Sequence, residues 1–113
     1  MIRKILSKGG KTENILVSIG PHIGMCCYDV SPDRALVFQK IYGFDTRITA
    51  YYDQKWHLDL GYINYLQLRR ANILPKNIDA PVICSSCRVK EFYSYRKDTN
   101  QSYGENLGII AFN

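Results

Sequence analysis

Apolar residues open the chain at helical spacing, with Ile2, Ile5 and Leu6 set among Arg3, Lys4 and Lys8, and the pattern stops at Gly9-Gly10. A helix this short is marginal alone, so its stripe needs a body to dock on, and its natural beginning is expected upstream of Met1. Asn14–Ile19 is a near-continuous apolar run ended by Gly20-Pro21, which predicts a central strand covered on both faces. Cys26–Val30 reads as a second strand. Ser31 then supplies an N-cap and Pro32 the first position of a helix running through Ala35, Leu36 and Phe38 to about Ile41.

Thr46–Tyr52 is rich in β-branched and aromatic residues, Asp53-Gln54-Lys55 is a polar turn, and Trp56, Leu58 and Leu60 alternate with His57 and Asp59. That pattern predicts a hairpin. Tyr62, Ile63, Leu66 and Ala71 recur at three- and four-residue spacing, with Arg69 and Arg70 in the last turn where cations favour the helix dipole; Pro75 ends the run. Pro81–Cys84 and Leu107–Phe112 complete the strand candidates, and Phe92–Gly104 is a long polar and aromatic loop. About six strands and three helices in mixed order give an α+β class, a mixed β-sheet with flanking helices, within one domain over residues 1–113.

Composition narrows the function classes only modestly. At 113 residues the chain suits a single core, and 46% hydrophobic with 22% charged residues excludes disorder and coiled coil. The +5 net charge is a weak vote for phosphate-bearing partners. No apolar run approaches the roughly 20 residues of a membrane span, and Met1–Gly10 carries charges where a signal peptide is apolar, so a cytoplasmic protein with no membrane partner is expected. The four cysteines are then expected as thiols.

Candidate chemistry is sparse. Gly10-Lys11-Thr12 imitates the end of a phosphate-binding loop, but position 5 is Ile5 and the order is helix to strand, so that reading fails. Cys84-Ser85-Ser86-Cys87 has zinc-knuckle spacing, and Cys26-Cys27 would have to supply the second pair. Successive side chains of a strand point to opposite faces, so buried or loop thiols are the expectation there, and no metal is expected for the isolated chain. His22 in its Gly-Pro turn is a candidate ligand or acid-base group, whereas His57 reads as solvent-facing or hydrogen-bonded. Phe92–Asp98 places aromatics beside Arg96 and Lys97, a combination suited to stacking a base and holding a phosphate, but it is not diagnostic of nucleic acid, and no nucleic-acid partner is expected.

Gly20–Val30, Leu58-Asp59-Leu60, Cys84-Ser85-Ser86-Cys87 and Phe92–Asp98, taken in order, resemble the laccase-domain or polyphenol-oxidase family of the YfiH type, regarded as purine nucleoside phosphorylases. The resemblance runs from about Glu13 to Phe112. It implies a mixed α/β sandwich similar in layout to the catalytic domain of cytotoxic necrotising toxins. It also implies zinc-dependent phosphorolysis of adenosine, inosine and methylthioadenosine, with adenosine deaminase activity and, in some members, peptidoglycan editing. The family's zinc is held by two histidines and a cysteine preceding the Gly-Pro loop, one of them in a His-Ala-Gly-Trp segment, and this chain has none of them. The resemblance therefore covers the C-terminal portion of a member. It implies substrate-binding roles for Cys27, Tyr95 and Arg96, with purine nucleoside and phosphate as ligands once an N-terminal half completes the pocket. Where the family usually reads Gly-Arg, this chain has Gly104-Glu105, which reverses a charge. The alternative of another class is a non-catalytic, self-associating remnant or interaction module, with a homodimer as its expected form.

Overall fold

The computed structural model describes residues 1–98 and 104–111. Helix α1 spans Ile2–Ser7, β1 Val17–Ser18, β2 Asp29–Val30, α2 Pro32–Tyr42, β3 Thr49–Tyr52, β4 Lys55–Leu58, α3 Leu60–Arg70 and β5 Ile78–Asp79. The class is α+β. The strands form two separate sheets, an antiparallel one in the order β2-β4-β3 and a parallel pair of β1 and β5.

Local chemistry sets the helix ends. Ser31 Oγ accepts from the Arg34 N–H at 3.3 Å and Pro32 occupies the first turn, as the sequence suggested; Asp59 Oδ1 does the same for α3, accepting from the Tyr62 N–H at 2.7 Å. Helix α1 ends with Gly9 at φ +87°, its N–H on Leu6 O while the Gly10 N–H reaches Ile5 O. Asn72, at φ +62°, ends α3 in the same way, and the next residue, Ile73, is fully buried. The hairpin turn places both Asp53 and Gln54 at positive φ, as a two-residue connection matched to strand twist requires.

The core lies between the antiparallel sheet and the two long helices. Ile48, Leu58 and Ile63 are buried at its centre, with Tyr28, Val30, Phe38, Tyr42, Leu60, Tyr62 and Leu66 packed around them. A buried hydrogen bond of 3.1 Å from Gln39 Nε2 to Thr49 Oγ1 ties α2 to β3. Helices α2 and α3 meet at Tyr42, whose hydroxyl accepts from Gln67 Nε2 and whose ring lies 4.6 Å from the Arg70 guanidinium.

Four strand expectations change. The Asn14–Ile19 run forms only the two-residue β1, and Leu16 is 60% exposed, because β1 has one neighbour, β5, instead of two. Cys26–Val30 is strand only at Asp29–Val30; Met25–Cys27 form a turn. Pro81–Cys84 contributes a single bridge, His22 with Cys84, and the strand there is the earlier Ile78–Asp79. Residues 107–111 carry no regular structure, and Phe112 and residues 99–103 of the predicted loop lie outside the described residues. Apolar side chains of α1, Ile15–Val17 and α3, with Ile109 and Ile110, line an open groove of about 1090 Å³.

The hairpin turn generates a direct prediction. Gln54 has a side chain at a position where glycine is unstrained, so Gln54→Gly raises stability by about 1 kcal/mol in urea unfolding. A loss of stability would show that the turn is not of this type.

Candidate functional site

The parallel pairing begun by β1 and β5 continues past both strands. Val17 pairs with Ile78 and Ser18 with Asp79; then the Ile19 N–H reaches Asp79 O at 2.7 Å, the His22 N–H reaches Ile83 O at 3.2 Å and the Ser85 N–H reaches His22 O at 2.9 Å. Partners throughout stand 61 or so positions apart, the separation of Ser18 from Asp79 and also of Cys26 from Cys87. The register therefore delivers the Gly20–Cys27 loop and the Cys84–Cys87 turn to one place.

There all four cysteine sulfurs lie within 4.8 Å of one another. Cys87 Sγ is 3.6 Å from Cys26 Sγ and 3.4 Å from Cys27 Sγ, and Cys84 Sγ accepts from the Gly24 N–H at 3.2 Å. The expectation that Cys26 and Cys27 diverge rested on strand alternation. In the turn that they occupy, with the Cys27 and Tyr28 N–H groups both on Gly24 O at 3.0 Å, that constraint is absent. The hairpin braces this turn, since the Tyr52 hydroxyl and His57 Nδ1 both donate to Met25 O, at 2.8 and 2.9 Å, and their rings stack 3.8 Å apart.

The shared surroundings split the thiols. Partial burial and hydrogen bonds from Cys87, Cys84 and Cys27 push Cys26 up to about 12. Burial opposes ionisation of Cys84 as well, but the backbone N–H groups of Gly24 and Cys87 on its sulfur outweigh that and bring it down to about 6.

The histidines do not join this cluster. His57 is buried at 6% exposure, hydrogen-bonded rather than solvent-facing, and its Nε2 has no partner among the described residues. His22 Nδ1 lies 2.8 Å from Gly20 O, and its ring fills the space that a Cβ on Gly61 would need. Among the described residues the four cysteines are the only group of three or more His, Cys, Asp or Glu ligands close enough for one ion. The two-histidine, one-cysteine zinc site that the family resemblance implies is therefore not formed by these residues.

Beside the cysteine turn lies a cleft of about 430 Å³, walled by Ile23, Tyr28, Arg34, Ser85, Tyr95 and Arg96 among others. Tyr95 and Arg96 stand on its rim; Cys27 does not line it and sits instead in the sulfur cluster. Arg96 is clamped, with Nη1 3.2 Å from Asp29 Oδ1, Nη2 3.2 Å from Asp29 O and the guanidinium 5.2 Å from the Tyr28 ring. Arg34 Nη1 donates to the Tyr28 hydroxyl at 3.3 Å. The Tyr95–Arg96 segment is held by the Ser94 N–H on Asp98 Oδ2 at 2.8 Å and by Asn106, which pairs with both backbone polar groups of Tyr93. Gly104 packs against the Tyr93 ring, and its neighbour Glu105 is exposed. Sequence reasoning missed Arg34, which α2 brings to the cleft, and Asp29, which the β2–β4 pairing holds where it clamps Arg96.

The chain matches the family model described as multi-copper polyphenol oxidoreductase laccase over residues 1–113. It is 28% identical over 111 residues to the purine nucleoside phosphorylase LACC1 of Mus musculus, covering 95% of this chain and 25% of that protein. The same protein of Homo sapiens is 25% identical over the same shares. The purine nucleoside phosphorylase YlmD of Geobacillus stearothermophilus is 33% identical over 103 residues, 87% of this chain and 36% of its own length. The chain thus spans between a quarter and just over a third of these curated relatives.

The clamp on Arg96 has a pH signature. Lys55, then Arg96, hold the Asp29 carboxyl below the usual aspartate range. A lowered folded-state value means that the clamp's contribution is present above the ordinary aspartate value and is lost as pH falls through the lowered one. In a carboxyl-detected NMR titration Lys55→Met moves the Asp29 midpoint upward, and by more than Arg96→Met does. An unmoved midpoint would show that the ion pairs do not set it.

Proposed function

The chain belongs to the multi-copper polyphenol oxidoreductase laccase family, and from that membership we propose that it supplies the C-terminal portion of a purine nucleoside phosphorylase. The observation that carries the reading is the cleft in which two arginines, Arg34 and Arg96, stand with Tyr28 and Tyr95. Guanidinium forks suit phosphate, and exposed aromatic faces suit a purine. Tyr95, 82% exposed, is placed to stack a base, and Arg96, oriented by Asp29 and Tyr28, to hold a phosphate oxygen. Cys27 acts as part of the loop whose Ile23 lines the cleft. Adenosine, inosine and methylthioadenosine are the proposed substrates, with adenosine deamination alongside, in a cytoplasmic setting.

Phosphorolysis moves the C1′ bond of the nucleoside from the base nitrogen to a phosphate oxygen, so the anion and the sugar must be held together. This chain's residues bind and orient both reactants. The two-histidine, one-cysteine zinc site that the family resemblance implies is not formed by the described residues.

The exposed apolar groove beside α1 favours the alternative, in which the chain self-associates as a non-catalytic module; Leu107 and Ile109 near its edge are more than four-fifths exposed. One set of measurements separates the readings. NMR titration of the chain with inosine and phosphate shifts Tyr28, Arg34 and Arg96 resonances. Base release then appears when the metal-bearing N-terminal portion is added in trans, with kcat/KM falling about tenfold or more for Arg96→Ala and less for Arg96→Lys. No shifts at the cleft, together with a concentration-dependent dimer in sedimentation, would establish the alternative.

A further inference from the structure

We propose that Cys26, Cys27, Cys84 and Cys87 form a structural site for one tetrahedral, thiolate-bound divalent cation of the zinc class. This site is separate from any catalytic metal and stands independently of the phosphorylase reading.

The sulfur geometry carries the assignment. A tetrahedral ion with metal–sulfur bonds of about 2.3 Å sets its four sulfurs about 3.8 Å apart along each edge. The Cys27–Cys87 and Cys26–Cys87 separations, 3.4 and 3.6 Å, and the 4.8 Å ceiling on all six pairs bracket that edge. A disulfide needs about 2.05 Å, far shorter than either of these separations, and all four cysteines are free. Four soft ligands of one kind select zinc-class ions over hard, oxygen-seeking ones, and a complete set of four leaves no open position for substrate.

The surroundings are those of a metal knuckle. The Gly24 N–H on Cys84 Sγ orients that sulfur and stabilises its charge, the role that outer partners take around metal ligands. A Cβ at Gly24 would press on Cys84 Cβ at 3.2 Å, so the close approach of the two loops needs glycine there. Each pair of ligands comes from a tight turn, Met25–Cys27 braced by Tyr52 and His57, and Cys84–Cys87 closed by the Arg88 N–H on Cys84 O at 3.2 Å. Binding exchanges thiol protons for the metal, leaving four metal–sulfur bonds and releasing the protons to solvent. Because Ile23, just before the first ligand turn, and Ser85, within the second, line the cleft, the ion fixes the cleft wall by stapling the two turns together.

The test uses the untagged chain, expressed with added zinc and purified in reductant without chelator. Mass spectrometry of the metal gives one zinc per chain, and replacement by cobalt gives the intense visible bands of a tetrahedral cobalt thiolate. Cys84→Ser and Cys87→Ser lose those bands, whereas His22→Ala keeps them. In the unsubstituted chain, which avoids any folding defect of the variants, thiol reagents react slowly until a chelator is added and then find four thiols. A chain that stays metal-free in zinc with four reactive thiols, that forms two disulfides in reductant, or that keeps full metal after both substitutions overturns the proposal. None of these readouts depends on enzyme activity.

Discussion

The parallel pairing between Val17–His22 and Ile78–Ser85 is the constraint on which the rest of the structure depends. It is short, two strand residues and one bridge, yet it joins segments about 60 positions apart. The four cysteines and the Ile23 and Ser85 side of the cleft lie at its far end. A register shift by one residue would reverse which side chains face each other and part the cysteine turns.

The second support is the hairpin of β3 and β4, which buries Leu58 in the core while its opposite features face the loops. His57 and Tyr52 reach from it to a single carbonyl, that of Met25, and so convert core stability into loop position. Asp29, paired with His57 on the neighbouring strand, passes the same rigidity to Arg96. The cleft and the sulfur cluster are thus two outputs of one small sheet.

Local signals were legible where local physics decides. The Ser31-Pro32 cap, the helix stop at Gly9-Gly10 and the polar hairpin turn all depend on residues within a few positions. Asn14–Ile19 misled because an apolar run reports burial between two neighbours, and β1 has one. Cys26-Cys27 misled for a related reason: the premise of strand alternation fails in a turn, and the turn is imposed by Gly24 and by a hairpin 25 or more residues away. Tyr95 and Arg96 carry a family motif, whereas Arg34 and Asp29 carry no signal until the fold brings Arg34 to the cleft and Asp29 to Arg96.

Amide hydrogen exchange at Ile19, His22 and Ser85 measures the long-range pairing itself. These three N–H groups bridge the two segments, and neither neighbouring strand nor helix protects them otherwise. The account predicts that they exchange slowly and as a group, well behind the amides of the exposed residues Leu16 and Val82. Exchange of all three at open-chain rates would mean that the segments are not held in this register, and the cysteine cluster and the cleft wall would lose their common foundation.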